Sequence, residues 1–153
     1  VPEYLRTQED SEVENYMDYG LQLGRRFRAL KLWIVLRYFG HEGIAARIGY
    51  HIALAQKFVS WVEESPEFEL MAPTPFSTVC FRAHPDNMSN GQELNRLNER
   101  LLAAVNSTRQ VFLSHTKLND SYVLRLAIGN LRTEERHVKR AWEILRAKLN
   151  EIT

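Results

Sequence analysis

Gly20-Leu-Gln-Leu-Gly-Arg-Arg-Phe-Arg-Ala-Leu-Lys-Leu-Trp-Ile-Val-Leu-Arg-Tyr-Phe-Gly40 is the stretch around which the chain is organised. Between Phe27 and Phe39 apolar side chains point in nearly every direction, and a helix that is apolar all round is normally buried on most sides. It is too short and carries too much Arg and Lys to span a membrane. Something must cover it, and the roughly 130 residues that surround it are barely sufficient. The expectation is a piece of a larger body.

The rest of the composition narrows the class. At 153 residues the length is that of one domain, with 44% hydrophobic and 25% charged residues, as in ordinary soluble globular proteins. A formal charge of +1 supplies no field favouring nucleic acid or an anionic membrane surface. The single cysteine, Cys80, excludes an internal disulfide framework and fits a reducing, cytoplasmic setting. No signal peptide or long apolar run is present. The chain opens Val-Pro-Glu rather than with Met, and a processed or excised fragment is the simplest reading.

Working outward, residues 1–22 are polar, acidic and irregular, and read as a mobile loop. A first helix is expected from Gly24 to Phe39 and a second from about Ile44 to Glu64, together a linking region over 23–65. The buried stripe of the second helix is expected to be Ile44, Ile48, Ile52, Ala55, Val59 and Val62, with Pro66 as its stop. From 66 to 153 the pattern is strand (Phe68 to Met71), strand (Ser77 to Ala83) and a helix capped by Ser89 with Gln92. A hairpin follows, Val111 to Lys117 and Tyr122 to Ile128 closed at Asn119-Asp120, and then a last helix capped by Thr133. Two helices followed by ββαββα imply an α+β module with a small, mainly antiparallel sheet.

Few residues carry a chemical signal of their own. Arg25, Arg26, Arg28 and Lys31 scatter around the first helix instead of forming one nucleic-acid-binding stripe. The five histidines have no short metal-ligand spacing, and Cys80 has no cysteine partner to ligate with. No nucleophile elbow or phosphate-binding glycine loop occurs. Arg125 stands out, because Tyr-Val-Leu-Arg-Leu-Ala-Ile otherwise reads as a core strand. Leaving its guanidinium unpaired there would cost several kcal/mol (roughly 3–5). It therefore needs a carboxylate, either a neighbouring Asp or Glu or one belonging to a ligand.

With these residues in view, the sequence resembles the C-terminal part of the pyridoxal-phosphate-dependent group II amino-acid decarboxylases, the aromatic-L-amino-acid decarboxylase family. The resemblance covers essentially the whole chain. It rests on Pro2-Glu3-Tyr4-Leu5, on the run Leu23 to Trp33, on Val79-Cys80-Phe81-Arg82 and on Val123-Leu124-Arg125. Arg132-Thr133, His137-Val138 and Ala141-Trp142 complete the family's order.

The resemblance implies the small domain of a fold-type-I homodimer with active sites at the subunit interface. It also implies pyridoxal phosphate as electron sink while an L-amino acid, aromatic by the motif wording, loses its carboxylate as carbon dioxide. The family's cofactor lysine follows a histidine, and no His-Lys pair occurs here. No cofactor-binding residue is therefore expected in this chain, and alone it should be inactive. Tyr4 matches the tyrosine of the family's mobile loop, which protonates Cα; aldehyde-forming members carry phenylalanine there. Leu23 and Gly24 match residues approaching the substrate side chain across the dimer. Arg125 matches an arginine facing the substrate α-carboxylate, here expected to orient and not to clamp, since a tight clamp would oppose loss of that group. No metal, nucleic acid or membrane enters this reading. Its rival is a non-catalytic α+β interaction domain using the helix at 25–39 as its surface.

Overall fold

The computed structural model describes residues 27–153, which divide into two compact units meeting between Arg47 and Ile48. Tyr4, Leu23, Gly24, Arg25 and Arg26, and the loop expected over residues 1–22, lie outside the described residues. The helical span α1 (Arg28–Glu63) is two helices meeting at a kink, as expected, but with no loop of several residues between them. It carries one non-helical residue, Gly40, at φ 66° and ψ 179°. That conformation is essentially restricted to glycine, so the sequence break was placed correctly but absorbed by one residue.

In the first unit, Phe27, Leu32, Trp33 and Tyr38 are 75, 61, 59 and 80% exposed, and Leu30, Ile34, Val35 and Leu36 are also exposed. The burial expected from their all-round apolar pattern is not supplied by the described residues. Arg37 and Arg47 instead lie over the rings of Trp33 and Phe39, at 6.0 and 5.5 Å from the centroids. Cation–π contact of this kind lets a guanidinium cover ring surface while staying wet.

The second unit has one core. Strands β1 (Phe68–Leu70), β2 (Thr78–Ala83), β3 (Ser114–Leu118) and β4 (Ser121–Ala127) form an antiparallel sheet ordered β1-β2-β4-β3. Helices α2 (Gly91–Ser107) and α3 (Glu135–Ile152) complete the expected ββαββα order. Alternation assigns Val79, Phe81 and Ala83 of β2 and Leu124 and Leu126 of β4 to the helix-covered face, where all are buried. Phe58 of α1 is fully buried there, with its ring 5.1 Å from Phe81 and 5.5 Å from Trp142.

The buried stripe of α1 in this unit is His51, Leu54, Ala55, Phe58 and Val62; of the expected series Ala55 and Val62 are buried and Val59 packs against the core, whereas Ile48 is 51% exposed. The segment is apolar on two adjoining faces, and the one carrying Phe58 wins because it fills more volume against the sheet.

Three asparagines of α2 bond to backbone at the ends of the ladders. Pairing of β2 with β4 runs from Thr78↔Ala127 to Phe81↔Leu124. Beyond it, the fully buried Asn98 accepts from Ala83 N–H at 2.8 Å and donates to Ala83 C=O at 2.9 Å. On the opposite strand Asn95 accepts from Tyr122 N–H at 2.7 Å and donates to Asp120 C=O at 2.9 Å. Asn106 binds both backbone groups of Leu113 in the same way, at 2.9 and 3.0 Å. A carboxamide has the donor and acceptor of a peptide, so it can replace a missing strand neighbour.

The caps also differ by a residue. Asn90, and not Ser89, accepts from Gln92 N–H and Glu93 N–H at the start of α2. At α3 the N-cap is Glu134, not Thr133, and His137 Nδ1 accepts from Glu134 N–H at 3.0 Å. Asn119 and Asp120 close the hairpin at φ 47° and 63°, as their turn chemistry predicts. No helix among the described residues is long and apolar enough to cross a membrane.

Candidate functional site

Arg125 sits in the middle of β4, between buried Leu124 and Leu126. Its side chain alternates away from theirs, onto the sheet face opposite the core. In register it lies between Cys80 of β2 and Ser114 of β3. Two residues along β2 on that face is Arg82, and alternation adds Thr78, Val123 and Thr116. The polar and charged members of this set are half-buried, while Val123 is fully buried. The apparent anomaly of an arginine in a core strand is thus explained: a strand has two faces, and only one belongs to the core.

Both arginines have partners within the fold. Arg82 Nε donates to Glu69 Oε1 at 2.5 Å and its Nη1 donates to Ser121 Oγ at 3.3 Å. Glu69 and Arg82 are directly paired across β1 and β2, so strand register alone delivers this ion pair. Arg82's side chain is 15% exposed and Glu69's 40%, which makes the pair only partly desolvated. Arg125 is likewise not without a partner in the fold. Its fork geometry suits a planar carboxylate, and its surroundings (Ser114, Thr78 and the Cys80 thiol) leave small polar groups beside it.

Sequence reading singles out Arg125 and gives Arg82 no role beyond closing the motif Val79-Cys80-Phe81-Arg82. The signal for their common face was the two-residue alternation Cys80-Phe81-Arg82, which becomes legible only once Cys80 is known to pair with Arg125.

A carbonyl-bearing cofactor such as pyridoxal phosphate is anchored through a lysine, and a desolvated lysine gives up its proton most readily. Lys31, Lys57, Lys117 and Lys139 are exposed, and Lys148 is paired with Glu151 at 2.6 Å. Lys57 is also committed, to Glu135 at 2.5 Å. The residues of this chain therefore do not fit the role of cofactor anchor. Among the described residues no three metal-ligating side chains come together either.

The family model described as "Pyridoxal-dependent decarboxylase conserved domain" matches residues 1–84. Tyrosine decarboxylase 2 of Arabidopsis thaliana is 44% identical over 154 aligned residues, covering 99% of this chain and 28% of that protein. Phenylacetaldehyde synthase of the same species is 45% identical, covering 94% of this chain and 30% of that protein. Among solved structures, Catharanthus roseus tryptophan decarboxylase in complex with L-tryptophan superposes with a TM-score of 0.73 at 37% identity. That match covers 90% of this chain and 29% of the other. The chain spans about 30% of the length of the relatives it matches.

Proposed function

The chain belongs to the pyridoxal-dependent decarboxylase family, and on that premise we propose that it is the C-terminal portion of an enzyme converting an aromatic L-amino acid to its amine and carbon dioxide. The observation that carries the reading is the family match over residues 1–84, together with an arginine on the sheet face opposite the core at the position that the resemblance assigns to carboxylate recognition. Pyridoxal phosphate, when bound by the parent enzyme, supplies the electron sink for loss of the carboxylate. Its anchoring residues belong to the remainder of the parent, since the lysines here are exposed or paired. This chain alone is expected to be inactive.

The roles within the chain are as follows. Arg125 orients the α-carboxylate through its fork, without burying it in an ideal clamp that would oppose its departure. Leu23 and Gly24 border the substrate's side chain, glycine leaving room for a ring. Tyr4 delivers a proton to Cα once carbon dioxide has left, from a phenol that stays protonated at neutral pH. Residues 1–22 form the lid carrying Tyr4, residues 23–65 the link, and residues 66–153 the small domain. The parent works as a cytoplasmic homodimer. Support for assembly comes from the eight exposed large apolar residues between Phe27 and Tyr38, more than an isolated soluble helix carries. The same helix is what favours the second reading, a non-catalytic interaction domain.

The test uses the parent enzyme carrying this chain. Carbon dioxide release from L-tyrosine or L-tryptophan, dependent on pyridoxal phosphate, is the expected result. A folded, cofactor-loaded parent that releases none would leave the interaction-domain reading. Tyr4→Phe should lower amine output and raise oxidative aldehyde output; unchanged amine formation removes Tyr4 from the proton transfer.

A further inference from the structure

A second feature of the folded unit lies away from the sheet face of Arg125. Where α1 ends and β1 begins, Trp61, Glu64, Pro66 and Glu67 face Trp142 and Arg146 of α3 across a cleft of about 460 Å³, within the range of small-molecule sites. Each wall has the same construction. Trp61 and Glu64 are one turn apart, and so are Trp142 and Arg146, so each wall offers an indole with a charge beside it.

Both indoles are half-buried and braced from behind. Phe58 lies 6.4 Å from Trp61 and 5.5 Å from Trp142, and Phe68 lies 5.0 Å from Trp142. Such walls are preformed and lose little freedom on binding. No ion pair joins Glu64, Glu67 or Arg146 to another of the described residues. The carboxylates stand at the C-terminal end of α1, whose dipole adds to their attraction for a cation.

From this pairing of opposed, uncommitted charges over two indole faces, we infer that the cleft is a binding site for a free amino-acid zwitterion with a flat side chain. Arg146 takes the carboxylate in its fork, Glu64 and Glu67 take the ammonium, and the ring packs between the indoles. The site is separate from the reaction assigned to the parent and does not depend on it. A simple amine would leave Arg146 unmatched, and a simple acid would face two carboxylates.

The test is binding of L-phenylalanine to the full chain, followed by calorimetry and by the indole N–H resonances in NMR. Saturable binding that moves the Trp61 and Trp142 signals but not that of Trp33 is the expected result. Phenethylamine and 3-phenylpropionate, each lacking one charge, should bind at least about tenfold more weakly. Arg146 is exposed, so Arg146→Ala should keep the fold, weaken L-phenylalanine about tenfold and leave phenethylamine unchanged. The inference is overturned by no binding at about 10 mM ligand, by phenethylamine binding as tightly as L-phenylalanine, or by Arg146→Ala and Glu64→Gln/Glu67→Gln binding as the parent chain does.

Discussion

Asn98 offers the sharpest test of how the small domain is held together. Its carboxamide binds both backbone groups of Ala83 where the β2–β4 ladder has ended, and it is fully buried. Asn98→Leu keeps the branched shape of the side chain, with a better helix former, but removes donor and acceptor together. Two backbone groups in a dry site are then orphaned, at about 2–2.5 kcal/mol each, and the added apolar burial returns about 1–2 kcal/mol. The net loss is about 2–4 kcal/mol. With a urea slope near 2 kcal/mol per molar, the unfolding midpoint followed by circular dichroism should fall by about 1–2 M at unchanged slope.

Asn98→Asp supplies the sign. Its carboxyl can satisfy both groups of Ala83 only when protonated, which raises its folded pKa above the unfolded one. The stability so recovered is full below the ordinary carboxyl range and lost as pH rises through the raised value. Relative to the parent chain, the aspartate variant should therefore improve on acidification. A midpoint shift under about 0.3 M for Asn98→Leu would refute the claim that these bonds replace a ladder partner.

Other outcomes follow from single sites. Phe58→Ala empties the space between Phe81, Trp61 and Trp142 and should cost about 3–5 kcal/mol, read from the same urea transition. Arg109 follows α2 at φ 56°, so Arg109→Gly should raise stability by about 0.5–1 kcal/mol; a fall would mean that its side chain matters more than its backbone. In the parent enzyme, Arg125→Ala should raise KM about tenfold or more while thermal stability moves little. Unfolding of the variant with unchanged cofactor affinity per folded molecule would make Arg125 structural.

Much of the architecture was legible because period and punctuation agree. Alternation in Ser77 to Ala83, the apolar run Tyr122 to Ile128, the Asn119-Asp120 turn and the helical spacing of α3 each point to the element observed. The errors fall where two local answers are nearly equal. Ser89 and Asn90 both suit an N-cap, and α1 has two adjoining apolar faces; at α3 the poorer intrinsic cap, Glu134, is held by its N–H donating to His137 Nδ1. Tertiary packing breaks such ties, since only one choice also fills the space over Phe81. Of the candidate site, Arg125 was visible as a charge out of pattern. Arg82 was not, because its significance depends on Glu69 lying directly across the sheet, 13 residues away in sequence.

By itself the sequence determined the family, the order of elements and which residues carry chemically unusual side chains, since each of these is written in local spacing and residue type. Only the tertiary structure decided which faces those residues share. Strand register brought Cys80, Arg82 and Arg125 to one side of the sheet. Helix packing put Asn95, Asn98 and Asn106 opposite the backbone groups they satisfy, and set Trp61 against Trp142. The reason is physical: register and packing are settled by how a whole core closes without voids or unpaired polar groups, and no short window of sequence contains that condition.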